Sequence, residues 1–168
     1  TLSNFKGIDK TYTATFTVGF QGTTQSVSVG NGKFSDSSGN FNLDGSDLNN
    51  TIYFAFDNQL PTIAVSSNKS SLQGGDSATL TFTLSEAAAD FGLDDITFAG
   101  GTLTDFAAVS STSYRVTFVP PENAVQSGTI AVAAGRFSDA RGNINTAALS
   151  LSIAVDTNPQ YPTITSER

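Results

Sequence analysis

The sequence predicts an all-β chain made of tandem antiparallel β-sandwiches, and three observations support this prediction. Short segments alternate apolar and polar side chains, the pattern of strands buried on one face. Turn residues separate these segments, and only residues 87–89 favour helix. Finally, an acid-to-proline stretch at 57–61 returns at 156–162, about 100 residues later, the size of one sandwich domain. We therefore expect function to lie in the repeats and their joints rather than in a pocket.

Composition narrows the possible functions. The 168 residues have a net charge of −7 and contain no Cys or His, so disulfides, thiolate zinc sites and histidine chemistry are excluded. The negative charge disfavours nucleic acid as a partner, because phosphate binding requires a basic surface. No apolar run approaches the roughly 20 residues that span a bilayer, so we predict no membrane insertion. The surplus of carboxylates suits either a hard cation or simple solubility.

Three further blocks repeat in the same order. Residues 1–5 match 102–106, residues 12–16 match 114–118, and residues 32–42 match 135–145. Repeats at a fixed period indicate an array of similar domains.

The repeat defines the predicted domain boundaries. Residues 1–58 correspond to the C-terminal half of a repeat, residues 59–157 to a complete repeat, and residues 158–168 to a linker and the first strand of a following repeat. We expect the half repeat to be truncated or to be completed by another chain. Its apolar face should then be exposed or make an intermolecular contact.

Seven strands are predicted in the complete repeat. Their apolar positions are Ile63 and Val65, Ala78 to Leu84, Ile96 and Phe98, an irregular edge segment at Leu103 and Phe106, Tyr114 to Phe118, Ile130 and Val132, and Leu149 to Val155. Seven short strands separated by turns indicate an immunoglobulin-like sandwich of two sheets. In the half repeat we predict strands at residues 12–18, 27–29 and 52–56.

Several oxygen ligands should converge where the complete repeat begins. In such a sandwich the first strand starts at the end that also holds the second-to-third and sixth-to-seventh strand loops. This places Asp57 from the linker beside Glu86 and Asp95 of one loop and beside Asp139 and Asn143 of the other. Carboxylates this close repel unless a cation or a proton relieves them, and Ca²⁺ takes six to eight oxygen ligands. We predict a calcium site formed mainly by Asp57, Glu86 and Asp139.

The same residues have alternative structural interpretations. Asp139 could only hydrogen-bond its own turn, and Glu86 could be a solvated acid. The repeat places Asp36 in the equivalent loop of the half repeat and Asp156 at the joint to a following repeat, so both are further predicted ligands. Two more acids, Asp44 and Asp47, are interpreted as solvated.

The repeated residues also support a resemblance to a known family. They include Leu84-Ser85-Glu86, Asp94-Asp95-Ile96-Thr97, residues 135–139, Gly142-Asn143 and residues 156–163. This set resembles the bacterial Ig-like repeats of giant RTX-type surface adhesins, which type I secretion exports. The resemblance implies a calcium-stiffened extender module at the cell surface that holds a ligand-binding tip away from the cell. Its implied partners are neighbouring repeats of the same chain and, through another domain, a host or surface ligand.

Other functions remain open. The domain could itself bind a glycan or a protein, and Phe41, Tyr53 and Tyr161 are its candidate aromatic contacts. It could also be a subunit of an appendage or surface layer that assembles through the half repeat. A glycosidase using Glu86 and Asp94 is disfavoured because the sequence has no His and no nucleophile motif. We therefore predict that the chain is not an enzyme.

Overall fold

The computed structural model describes residues 1–18, 24–43, 50–162 and 164, which form twelve strands and divide into two compact units, Thr1–Gln59 and Leu60–Arg168. The strands of the first unit are β1 (Leu2–Ile8), β2 (Thr11–Phe16), β3 (Thr24–Ser28) and β4 (Thr51–Ala55). Those of the second are β5 (Ile63–Ser67), β6 (Ser71–Gln73), β7 (Ala78–Leu84), β8 (Ile96–Ala99), β9 (Thr102–Ser110), β10 (Ser113–Val119), β11 (Val125–Val132) and β12 (Leu151–Asp156). Within these ranges no helix is long and apolar enough to cross a membrane.

The second unit is a sandwich of two four-stranded sheets. One sheet has the strand order β5-β7-β10-β9, and the other has the order β6-β12-β11-β8. All pairs are antiparallel except β6 with β12. This arrangement is that of an immunoglobulin-like sandwich, so the predicted all-β, immunoglobulin-like fold is confirmed.

Alternate residues of the central strands form the core between the two sheets. Phe82 of β7 and Phe118 of β10 are fully buried, together with Ile130 of β11. Successive side chains of a strand point to opposite faces, so the alternation in the sequence places every second residue here. Two glycines allow close packing, since a Cβ at Gly101 or at Gly128 would lie 2.5 Å from the Phe118 ring.

Two details of the strand prediction are wrong, and a third is confirmed. Strand β6 was not predicted, because three residues with one buried side chain, Leu72, are too short to show alternation. The predicted irregular edge segment at Leu103 and Phe106 is strand β9, which lies at the edge of its sheet and pairs with β10 through two register shifts. Leu149 was assigned to the last strand, but it precedes β12 and is 91% exposed.

The first unit repeats the pairing of the second. In β1 and β2, Phe16 pairs with Leu2, as Phe118 pairs with Leu103 in β10 and β9. A bulge interrupts both pairs, and its left-handed residue has φ of 52° at Asn4 in the first unit and 55° at Asp105 in the second. Strands β2, β3 and β4 end slightly earlier than predicted. The internal repeat is therefore present in the structure as well as in the sequence.

Candidate metal centre

Backbone hydrogen bonds bring three segments of the second unit together at one end. The Ala89 amide in the β7–β8 loop donates to the Ser138 carbonyl in the β11–β12 loop at 2.8 Å. The Thr146 amide of that second loop donates to the carbonyl of Pro61, just before β5, at 2.9 Å. Both bonds join main-chain atoms only, so neither uses a side chain that could bind an ion.

Asp139 is the most buried acid at this end, with a side chain only 4% exposed. Its Oδ1 accepts hydrogen bonds from the Arg141 and Asn143 amides at 2.8 and 2.9 Å, and its Oδ2 accepts one from Asn143 Nδ2 at 2.7 Å. Gly142, with φ of 86°, supplies the left-handed residue that the turn needs. These bonds, that from the Asn143 side chain above all, lower the pKa of Asp139, whereas burial opposes them. The carboxylate is therefore ionised and fixed in orientation.

Asn145 holds the two ends of the same loop together. Its Oδ1 accepts hydrogen bonds from the amides of Arg136 at 2.7 Å and Phe137 at 3.0 Å. Its Nδ2 donates to the carbonyls of Ala133 at 2.9 Å and Thr146 at 2.7 Å. One buried side chain thus satisfies four backbone groups and positions the turn that contains Asp139.

The structure brings the three principal predicted ligands together. Asp57, Glu86 and Asp139 each offer one carboxylate oxygen, and these oxygens all lie within 4.8 Å of one another. Two ligands of one Ca²⁺ ion, each 2.3–2.6 Å from it, are at most about 5 Å apart, so the spacing fits a single ion. The turn uses three of the roughly four acceptor positions of the Asp139 carboxylate, which leaves capacity for a cation. The residues present fit calcium in both spacing and ligand type.

The two secondary candidates occupy different positions. Asn143 contacts the group directly through its bonds to Asp139. Asp95 lies outside the three-carboxylate group, and its Oδ2 accepts a hydrogen bond from the Gly92 amide at 2.8 Å, which closes the 3-10 turn Leu93–Asp95. A role for Asp95 at the metal stays a prediction, but its carboxylate has a structural task of its own.

The first unit contains a copy of the Asp139 turn around Asp36. Asp36 Oδ1 accepts hydrogen bonds from the Ser38 and Asn40 amides at 2.9 Å each, and its Oδ2 accepts one from Asn40 Nδ2 at 2.9 Å. The Asn40 side chain contributes most to lowering the pKa of Asp36. Among the described residues, however, Asp36 belongs to no group of three clustered acids.

Asp57 and Asp156 also have equivalent local structures. Asp57 Oδ1 accepts a hydrogen bond from the Gln59 amide at 3.2 Å, and Asp156 Oδ1 accepts one from the Asn158 amide at 3.3 Å. The predicted role of Asp156 at a following joint stays a prediction. Asp44 and Asp47 lie outside the described residues.

Phe91 is a structural contact that sequence reasoning missed. Its ring packs edge-on against Tyr114, with centroids 4.9 Å apart, and against Phe137 at 5.1 Å. The preceding residue, Asp90, accepts a hydrogen bond from the Ser138 amide at 2.7 Å. The available signal is a single aromatic residue in a loop whose other residues are small or acidic apart from Leu93. Asp90 and Phe91 thus join the β7–β8 loop to the β11–β12 loop and to the core.

The three aromatic residues proposed for ligand binding are exposed but do not form a cluster. Phe41, Tyr53 and Tyr161 are 65%, 70% and 82% exposed. Within the part of the chain that is described, no ring-to-ring contact joins any of them. The arrangement therefore gives no specific support to a binding face built from these residues.

Comparison with known proteins agrees with the fold. The sequence model of the bacterial Ig-like domain matches residues 1–53 and 57–155, and the second match begins at the predicted ligand Asp57. A search of curated proteins finds no match. Two adjacent matches that cover most of the sequence show that the chain belongs to the bacterial Ig-like domain family.

Proposed function

We propose that this chain is an extender module of a bacterial cell-surface adhesin, stiffened by calcium bound to Asp57, Glu86 and Asp139. The observation that carries the proposal is the group of three carboxylate oxygens within 4.8 Å of one another. Asp57 belongs to the linker segment, whereas the other two residues belong to the β7–β8 and β11–β12 loops. Three negative charges at this distance favour a divalent cation.

The ion would act by tying the linker to the loops. Free rotation around the backbone near Asp57 would then be restricted, and the ring of Pro61 already fixes one backbone angle there. The Asp139 turn orients one ligand in advance, so less side-chain entropy is lost on binding. Calcium concentrations outside cells suit sites with Kd of about 10⁻⁴ to 10⁻³ M, the range of extracellular modules.

Thermal unfolding with and without calcium tests this site. An ion that binds only the folded state stabilises it by about 1.4–2.7 kcal/mol when its concentration is about 10–100 times Kd, which about 10 mM calcium reaches for this range of Kd. For a domain of about 100 residues this raises Tm by roughly 6–20 °C. We expect such a rise between excess EGTA and about 10 mM calcium, and a much smaller rise with magnesium, which prefers a tighter octahedral site.

Matched variants identify the ligands. Asp139→Asn should abolish the calcium-dependent rise in Tm. Asp36→Asn alters the equivalent turn of the first unit, which belongs to no acid cluster among the described residues, and should leave the rise intact. Glu86→Gln removes a ligand charge and keeps the length of the side chain, so it should also abolish the rise. An equal calcium response in all three variants would refute the site.

The adhesin role is a proposal of a different kind, supported by family membership and by the resemblance to RTX-type repeats. It places the chain outside the cell, beside further Ig-like repeats, with ligand binding assigned to another domain. Labelling of intact cells that express the full-length protein tests this location. Epitopes of this region that become accessible only after lysis would refute it.

A further inference from the structure

The second unit contains few basic residues, which limits where a protease of trypsin-like specificity can cut it. Within residues 60–162 they are Lys69, Arg115, Arg136 and Arg141. Such a protease cleaves after Lys or Arg and binds the chain around the cleaved bond in an extended conformation. The surroundings of each basic residue therefore decide whether cleavage needs the opening of one loop or the unfolding of the whole unit.

Three of the four basic residues lie in parts of the unit that do not open easily or that carry no predicted ligand. Arg115 is in the middle of β10, which pairs with β7 on one side and β9 on the other. Arg136 precedes Phe137, whose side chain is only 2% exposed. Lys69 lies in the turn between β5 and β6, where its carbonyl accepts a hydrogen bond from the Ser67 hydroxyl at 2.7 Å. Cleavage after Arg115 or Arg136 thus requires the core to open.

Arg141 differs because it lies in an exposed turn that can open by itself. None of the residues 140–144 is buried. The Asp139 amide donates to the Asn143 carbonyl at 3.0 Å, and the Gly142 amide donates to the Asp139 carbonyl at 3.2 Å. These bonds and those of the Asp139 carboxylate join residues within 139–143, so the turn can open without separating two strands. In the closed turn Gly142 has φ of 86°, far from the extended backbone that a protease binds.

The residue that closes this turn is also the central predicted calcium ligand. Asp139 Oδ1 accepts the hydrogen bond of the Arg141 amide at 2.8 Å, and the carboxylate lies beside those of Asp57 and Glu86. An ion bound to all three carboxylates would hold Asp139, and with it the turn, in the closed conformation. If the ion binds only the closed turn, the open fraction falls by the factor 1 + [Ca²⁺]/Kd.

The first unit shows that the turn itself does not require an arginine. Its copy of the turn has Ser38 at the position of Arg141, and the Ser38 amide donates to Asp36 Oδ1 at 2.9 Å. In both turns this position therefore contributes its main-chain amide. The exposed guanidinium of Arg141 adds a recognition group for a trypsin-like protease to an otherwise equivalent turn.

From this geometry we propose that the Arg141–Gly142 peptide bond is a cleavage site for a protease of trypsin-like specificity, closed by bound calcium and exposed when calcium is withdrawn. The inference rests on the calcium site proposed above and adds a means of cutting the extender. Cleavage is hydrolysis: the bond between the Arg141 carbonyl carbon and the Gly142 nitrogen breaks, and water supplies a hydroxyl to the carbon and a proton to the nitrogen. After the cut, β12 stays attached through its pairing with β6 and β11, so the chain that follows is released when this strand detaches.

Limited digestion of the whole chain with trypsin tests the site, with mass spectrometry counting the new ends at each basic residue. When opening is fast relative to cleavage, the rate follows the open fraction, so cleavage after Arg141 should be about 10–100 times slower in about 10 mM calcium than in EGTA. Cleavage after Lys69 should change much less, since no predicted ligand lies in its turn. A free peptide of residues 138–145 corrects for any effect of calcium on trypsin.

Two variants separate the cleavage site from the ion that closes it. Arg141→Ser installs the residue of the first unit's turn, so it should prevent cleavage at this position and keep the calcium-dependent rise in Tm. Glu86→Gln removes a ligand charge and leaves the sequence of the turn unaltered, so cleavage after Arg141 should become equally fast in EGTA and in calcium.

The outcomes distinguish this inference from the calcium site on which it rests. A calcium-dependent rise in Tm without slower cleavage after Arg141 would overturn the inference and leave the calcium site standing. No effect of calcium on either measurement would overturn both. Below the unfolding midpoint, cleavage after Arg141 should depend little on urea, because local opening exposes little surface. The same urea dependence for cleavage after Arg141 and after Arg115 would overturn the inference, since both bonds would then open only when the whole unit unfolds.

Discussion

Asn145→Ala is the substitution whose cost the structure defines best. It removes the partner of two amides, those of Arg136 and Phe137, and of two carbonyls, those of Ala133 and Thr146. Phe137 is 2% exposed, so its amide is poorly placed to find water, and an orphaned buried group costs about 1–3 kcal/mol. The other bonds contribute roughly 0.5–1 kcal/mol each after hydration of their partners. We expect a loss of about 2.5–6 kcal/mol and a decrease in Tm of roughly 10 °C or more.

Asn42→Ala is the matched control for this measurement. Asn42 Oδ1 accepts the amides of Lys33 and Phe34 at 2.7 and 3.1 Å, and its Nδ2 donates to the Gly30 carbonyl at 2.9 Å. Lys33 and Phe34 are exposed, so water can replace the lost bonds and the cost should stay below about 1 kcal/mol.

The assay must distinguish the two units, because a chain with two units need not unfold in one step. Hydrogen exchange of the β7 amides reports the second unit, and circular dichroism follows the whole chain. The reasoning is refuted if Asn145→Ala shifts exchange of the β7 amides no more than Asn42→Ala does.

Two other perturbations have defined outcomes. Gly128→Ala should destabilise the second unit by about 1–3 kcal/mol in urea unfolding, because its Cβ would lie 2.5 Å from the fully buried Phe118 ring. The control Gly74→Ala should cost much less, because its Cβ would lie 3.8 Å from its nearest neighbour. Equal effects of the two substitutions would contradict the packing argument. In calcium-free buffer, stability should fall as the pH decreases below the ordinary aspartate pKa of about 3.9, because the folded-state pKa of Asp139 is lowered. Its contribution to stability is complete above the unfolded-state pKa and is lost as the pH falls through the folded-state pKa. Asp139→Asn should flatten this part of the pH profile, and an unchanged slope would exclude Asp139 as a source of the acid sensitivity.

Alternation of apolar and polar residues predicted the long strands correctly. It missed features that depend on where the core ends. Strand β7 alternates over seven residues, and its four apolar side chains are all buried. Leu149 continues the alternation of Leu151, but it lies beyond the last layer of the core and faces solvent. Period-two alternation specifies which residues share a face and carries no information on how far the opposite sheet extends. Strand β6 has only three residues and pairs with β12, which is distant in sequence, so no local sequence pattern reveals it.

A comparison of the Asp36 and Asp139 turns shows which features of the candidate site depend on local sequence and which depend on packing. Asp36 and Asp139 have the same spacing to an Asn and a Gly, and they form the same three hydrogen bonds. Short-range sequence therefore fixes the turn and the lowered pKa in both cases. Only Asp139 lies beside the carboxylates of Glu86 and Asp57, which are distant in sequence and arrive through the β7–β8 loop and the linker. Metal binding is thus expected to follow the non-local neighbours rather than the turn, and for this reason the paired Asp139→Asn and Asp36→Asn variants separate a calcium ligand from a turn residue.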